Sequence, residues 1–273
     1  MKKLLHLFAP LALVLLTIGL GAVVTLGGIS FFLPSPDVRS LAWIYLKTTF
    51  NTTFSISPLA PEAVTAIVWD YRGLDTLFET SVMFLAIVGA LMVFRGLSEE
   101  LLMQHKVGEG GLSLIVKTVT RITIVMITAV GASLALHGHL TPGGGFQGGA
   151  TIAVAPMIMI TTFSLYFLAK KLAIKKAILF RSIGLAVIAI TAYLVLVTAL
   201  VGGGYAYIFQ NQAKVGSPYS VPSYIGDGIV LGGTLILFNV AETLAVAFGF
   251  VALFILISIP EVLAKEVVSK GEE

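Results

Sequence analysis

Five places in this chain carry side chains that could hold a cation, pass a proton or read a charge. The first is Trp69-Asp70-Tyr71-Arg72-Gly73-Leu74-Asp75-Thr76-Leu77-Phe78-Glu79. On a helix, Asp75 and Glu79 stand at i and i+4, with Arg72 three residues further back on the same face. Such a row can bind a cation or relay a proton. The same letters also read as a capping box, Thr76-x-x-Glu79, which would start a helix at the membrane surface.

The second place is His137-Gly138-His139-Leu140-Thr141-Pro142-Gly143-Gly144-Gly145-Phe146-Gln147-Gly148-Gly149. Imidazole titrates near neutrality, so His137 and His139 suit proton transfer, or simply a hydrogen-bonded helix end. A zinc ion wants three or four protein ligands, and no carboxylate or thiolate stands nearby, so no metal is expected here. Gly143, Gly145 and Gly148 spell G-x-G-x-x-G, but no strand precedes them and no βαβ unit follows. Nucleotide binding is therefore not expected. The glycines Gly143, Gly144, Gly145, Gly148 and Gly149 instead permit close backbone approach. They predict a tight turn pressed against another helix or another subunit.

The third place is Asn239 with Glu242, which share a helix face three residues apart. No other charge occurs from Gly228 to Ile259. A lone carboxylate at membrane depth is costly and needs a partner or water. Asp227, just ahead of that run, reads as a cap favoured by the helix dipole. The fourth place is Lys117 and Arg121, which lie within reach of a helix end and read as snorkelling anchors. The fifth, Gly202-Gly203-Gly204 and the stretch 210–222, reads as a solvent-facing connection without chemistry.

These side chains must be positioned by membrane elements. Of the 273 residues, 57% are hydrophobic and 11% charged, against roughly 45–50% and about 25% in soluble domains. A soluble enzyme, a disordered tail and a disulfide-built module are thereby excluded. The chain has no cysteine, so it cannot hold a cysteine-ligated iron–sulfur cluster. Spans need about 20 apolar residues, and six runs qualify: Leu4–Ile29, Asp75–Phe94, Leu112–Leu136, Ala150–Leu168, Ala177–Leu200 and Gly228–Ile259. They are apolar all round rather than alternating, which predicts an all-α, polytopic membrane protein with six transmembrane helices. The N-terminal run exceeds a signal-peptide core and is expected to be a retained helix.

With both termini in the cytoplasm, every Lys and Arg except Arg39, Lys47, Arg72 and Lys214 falls inside, as the positive-inside rule requires. The cluster from Lys170 to Arg181 anchors that orientation. Outside, Trp43, Tyr45, Phe50 and Trp69 suit the membrane–water interface. A polar, glycine-ended linker, 99–111, separates a two-helix region with a long outer loop (1–98) from a four-helix domain (112–273). The halves show no internal repeat.

Two stretches carry a family resemblance. Val64 to Glu79, with Asp70-Tyr71-Arg72-Gly73 and Asp75-Thr76-Leu77-Phe78-Glu79, resembles the C-terminal region of the A subunit of Mrp-type sodium/proton antiporters. Thr118 to Gly149, with Thr120-Arg121 and Gly138-His139-x-x-Pro142-Gly-Gly-Gly-Phe146-x-Gly-Gly, resembles the Mrp B subunit. The resemblance implies the end of A fused to B, as in the membrane arms of archaeal hydrogenases and sulfane-sulfur reductases. It also implies a multi-pass subunit of the cell membrane, not an enzyme by itself, among other Mrp-like membrane subunits and a redox arm related to complex I. The chain would hold no cofactor, and sodium ions or protons would be cargo. Iron–sulfur clusters would reside only in partner subunits, and neither nucleotide nor nucleic acid would bind.

Leu140, Phe78 and the Asn239-x-x-Glu242 pair depart from the usual A and B patterns and favour the redox-linked archaeal branch over a free-standing antiporter. Asp75, Glu79, His137, His139 and Glu242 are then the ion or proton pathway candidates. Arg72, Arg121, Asp227 and Asn239 serve structure or ion pairing, and the glycine string serves close packing. A purely structural membrane adaptor is the competing expectation.

Overall fold

The computed structural model describes residues 2–25, 38–104, 111–226 and 228–272. The chain is mostly helical and falls into two compact units, residues 1–44 and 45–273. The first holds α1 (Lys2–Thr25) and the opening of α2 (Ser40–Thr48). The second holds α3 (Ala63–Ala66), a π-helical turn (Ile67–Tyr71), α4 (Gly73–Val93), α5 (Glu99–Gln104), α6 (Leu114–His137), α7 (Gly145–Thr162), α8 (Leu165–Lys171) and α9 (Ile174–Val201). A two-stranded hairpin of β1 (Tyr224–Ile225) and β2 (Ile229–Val230) then leads into α10 (Thr234–Ile257) and α11 (Glu261–Glu272).

Four helices among the described residues are long and apolar enough to cross a membrane: α4, α6, α9 and α10. Their limits lie within a few residues of the expected runs, except that α10 starts six residues after Gly228. Gly232 and Gly233 adopt φ of 63° and 62° there, a region that glycine enters freely, and the hairpin uses up the stretch in between. The expected fourth run is split into α7 and α8. Ser164 leaves helical geometry, and its hydroxyl accepts the Phe167 N–H at 3.1 Å to open α8.

The centre of the second unit is α10. In its apolar window 61% of residues are buried, against 33% in α9 and 17% in α4 and α6. Helices α6, α7 and α9 pack around it, with α4 at one side. Gly184 lets α9 come very close: a Cβ there would lie 2.6 Å from Ala241 O and from the Ala245 nitrogen. Small residues at such crossings are how helices associate in lipid, where packing replaces the hydrophobic drive. The outward face of α4 stays apolar and exposed at Phe78, Val82 and Leu85.

The stretch 210–222 is not the plain solvent connection its composition suggests. Asn211 is fully buried and ties distant segments together. Its Nδ2 donates to Pro58 O (3.0 Å) and Gly232 O (3.1 Å), and its Oδ1 accepts the Thr234 N–H at 2.8 Å. Gln210 donates to Ser217 Oγ at 2.9 Å and Tyr219 O at 2.7 Å. A buried amide is costly unless paired, and this one is paired on both ends.

Candidate functional site

A cavity of about 270 Å³ lies where α4, α7, α10 and the π-helical turn meet. Glu242 and Asn239 of α10 line it, with Glu79, Thr76 and Thr80 of α4, Trp69 of the π turn, and Gly143, Gly144, Gly145 and Gln147 of the glycine joint. Its polar groups come from segments far apart in sequence, and each is placed by a local cause.

Glu242 is 8% exposed. Trp69 donates its Nε1–H to Oε2 at 3.3 Å, and the backbone N–H of Phe146 donates to the same carboxyl group. Phe146 stands in the first turn of α7, so the carboxylate meets the positive end of that helix dipole and one of its free N–H groups. Gly145 makes the approach feasible. A Cβ there would lie 2.5 Å from Glu242 Oε2 and 2.7 Å from Asn239 O.

The rest of the glycine string serves the same closeness. A Cβ on Gly143 would lie 2.6 Å from Leu134 O, on Gly148 2.8 Å from Gly131 O, and on Gly149 2.8 Å from Thr243 O. Gly144 has φ 138°. The joint thus presses against α6 and α10 of its own chain. Thr243 Oγ adds a bond to Gly145 O at 3.0 Å.

Asn239 is 1% exposed, and neither Oδ1 nor Nδ2 has a hydrogen-bond partner. A buried amide without partners is a costly arrangement. Its place on the wall of the cavity, beside Glu242, makes it a ready ligand for whatever enters. Glu79, by contrast, lines the cavity from α4 with its side chain exposed. Helix α4 begins at Gly73, so Thr76 does not cap it. Thr76 Oγ instead donates to Val68 O at 2.6 Å, bracing the π turn.

Trp69, expected at the membrane surface, is 1% exposed. It stacks on Phe238 with ring centroids 4.3 Å apart and planes within 4°. The extra residue of the π turn re-aims the side chains around it, a device common at functional sites. Asp70 beside it is buried and paired with Lys214 of the stretch 210–222 at 3.1 Å. Burial pushes its carboxyl above the usual range, opposed by the Lys214 ammonium.

The other pathway candidates do not line the cavity. Asp75 pairs with Arg72 on the surface. His137 is exposed at the end of α6, its Nδ1 3.1 Å from Ser133 O. His139 is 2% exposed, with Nε2 2.9 Å from Val230 O. Burial pulls its imidazole below the usual value, so at neutral pH it is uncharged and Nε2–H donates to the carbonyl. Arg121 lies over the Phe163 ring at 5.7 Å. Asp227 lies outside the described residues.

Sequence reading missed Trp69, Gln147 and Arg181. In sequence Arg181 reads with the neighbouring lysines, yet it is 3% exposed and lies 4.5 Å over the Phe84 ring. The signal that could have found it is its position beyond the first turn of an uninterrupted apolar run, three residues before Gly184.

Comparison with known proteins follows the same outline. Residues 115–252 match the family described as "Domain related to MnhB subunit of Na+/H+ antiporter". The chain belongs to this MnhB-related family. An uncharacterized protein of Methanocaldococcus jannaschii is 30% identical to the MnhB-related chain over 264 residues, covering 90% of this chain and 95% of that protein. Among solved structures, a chain of the membrane-bound sulfane sulfur reductase, an archaeal respiratory membrane complex, is similar with a TM-score of 0.64 and 25% identity. That similarity covers 92% of this chain and 98% of the other. A chain of the Mrp complex from Dietzia sp. DQ12-45-1b shares the fold, with a TM-score of 0.56 and 18% identity over 93% of this chain and 26% of that one. With four apolar helices of spanning length among the described residues, the MnhB-related chain is an antiporter-like membrane subunit.

Proposed function

We propose that this chain is a non-catalytic membrane subunit of a multisubunit sodium/proton antiporter module, and that the cavity between Glu79 and Glu242 accepts the transported cation or proton. One observation carries the reading: two carboxylates and an unpartnered Asn239 amide, on two helices long and apolar enough to cross a membrane, line one mainly apolar cavity. Ionisable groups in such segments are costly and mark ion paths by default. The wider reading includes six spans with both termini in the cytoplasm of a cell membrane. It includes an A-like region (1–98), a linker (99–111) and a B-like domain (112–273). Coupling to a redox arm is supported by the similarity to the sulfane sulfur reductase complex. A chain without cysteine leaves iron–sulfur electron transfer to other subunits.

The test is Glu242→Gln in the intact complex, reconstituted in vesicles. Coupled cation transport is expected to fall at least tenfold while the subunits still copurify. Full transport by this variant would reject the route. A structural-adaptor reading is favoured by the two donors that already hold Glu242, the Trp69 indole and the Phe146 N–H. It predicts the opposite pattern, with thermal stability lost and transport kept in whatever complex remains.

A further inference from the structure

The first turns of α9 carry Lys175 and Lys176, both exposed, after Lys170 and Lys171 at the end of α8. Arg181 follows on α9, but its side chain does not turn back to join them. It is buried, its guanidinium rests on Phe84, and Nε and Nη1 have no hydrogen-bond partner. No carboxylate among the described residues lies within ion-pair distance of it. A guanidinium does not give up its proton at any physiological pH, so a fixed positive charge stands inside the bundle.

Gly249 leaves the surface of α10 bare for Ile87 of α4, whose Cδ1 would lie 2.7 Å from a Cβ there, and the arginine stem passes alongside at ordinary contact distance, with Cδ 3.7 Å from the same point. The gap beside the side chain is about 10 Å³, room for about one water. Thr80, Met83 and Val246 line this gap and also line the acidic cavity. A single layer of side chains therefore separates the guanidinium from the space shared by Glu79 and Glu242. Along α10, Val246 is one turn beyond Glu242 on the same face. The order is carboxylates, partition, arginine and then the lysine-bearing end.

We propose that Arg181 is a positive stop beneath the acidic cavity: a cation drawn to Glu79 and Glu242 is repelled from running on between α4, α9 and α10 towards the lysine-bearing end. The charge acts at short range in a poorly screened interior, where like charges repel far more strongly than in water. The exposed Glu79 side then becomes the way onward, towards a neighbouring subunit. This inference rests on the reading that the cavity accepts a cation.

The experiment measures passive sodium and proton leak, with no energy source, through vesicles holding the intact complex. Arg181→Gln is expected to raise the leak at least tenfold, and Arg181→Lys to stay within about twofold of the natural protein. The double variant Arg181→Gln with Glu242→Gln is expected to return to the low leak, because the cavity no longer gathers cations. Arg181→Met supplies a neutral side chain suited to an apolar seat where Arg181→Gln fails to assemble, and it is expected to leak equally. Tight vesicles with both neutral variants would overturn the stop. So would Arg181→Lys leaking as fast as the neutral variants, which would make shape rather than charge the cause. Full transport by Glu242→Gln alone removes the cavity reading itself, whatever the arginine variants do. Loss of transport in Glu242→Gln with tight arginine variants removes only the stop.

Discussion

Glu242 and Glu79 line the same cavity from opposite walls and are held in opposite ways. Glu242 sits on the central helix, enclosed by Trp69, the first turn of α7 and the bare backbone of Gly145. Glu79 sits on the peripheral helix α4, exposed, with Phe78, Val82 and Leu85 beside it facing away from the bundle. The difference teaches that the chain finishes one half of a site and leaves the other half open. A carboxylate cannot face lipid cheaply, so Glu79 is placed for water or for a neighbouring chain.

The largest blow to that contrast comes from Gly145→Val. Its Cβ would collide with Glu242 and with the backbone of Asn239, and overpacking of this kind costs about 1–3 kcal/mol. Thermal unfolding of the purified complex is expected to show the loss. Gly89→Ala on α4, where nothing lies within 4 Å, should show none. Equal behaviour of the two glycines would erase the distinction between the walls.

Trp69→Phe sharpens it by removing one donor from Glu242 while keeping the stack on Phe238. The stability lost reports the state of the carboxyl group: about 0.5–1.5 kcal/mol for a neutral acceptor and about 1.5–3 kcal/mol for an ionised one. Glu79→Gln is expected to cost less than about 0.5 kcal/mol in stability, because the chain itself does not hold that side chain, while lowering transport in the complex. A large stability loss would show that Glu79 is braced from within.

The smallest effect is expected from pH. His139 has its imidazole held below the ordinary 6.5 by burial. The unfolded chain therefore binds a proton more readily than the folded one as pH falls through 6.5. The stability contributed by neutral His139 is full above that value and declines below it. Melting temperature measured at pH 7.5 and 5.5 should fall more for the natural chain than for His139→Gln.

Much of this arrangement was legible in the letters. Helices α4, α6 and α9 follow from uninterrupted apolar runs, and Glu242 stands out because no other charge shares its run. The glycine joint announced close packing, though not that it would press on α6 and α10 of its own chain. Trp69 was not legible as a buried residue, because the inward turn depends on one extra residue in a π-helical turn that propensity does not reveal. The hydrogen bonds of Asn211 reach Pro58 and Thr234, and no local pattern encodes partners so distant. Arg181 was hidden by its neighbours: beside four lysines it reads as one more anchor, and only its burial against the Phe84 ring separates it from them.

Asn211 has a wider consequence. By tying Pro58 to the first residues of α10, it splints the segment leading to Trp69 against the helix that bears Glu242. Those two walls are cast as a single piece, like the fixed jaw of a vice. The Thr76 bond to Val68 O fastens the start of α4 to the same piece, so a shift of the Trp69 wall against α10 would have to break the buried amide's bonds first.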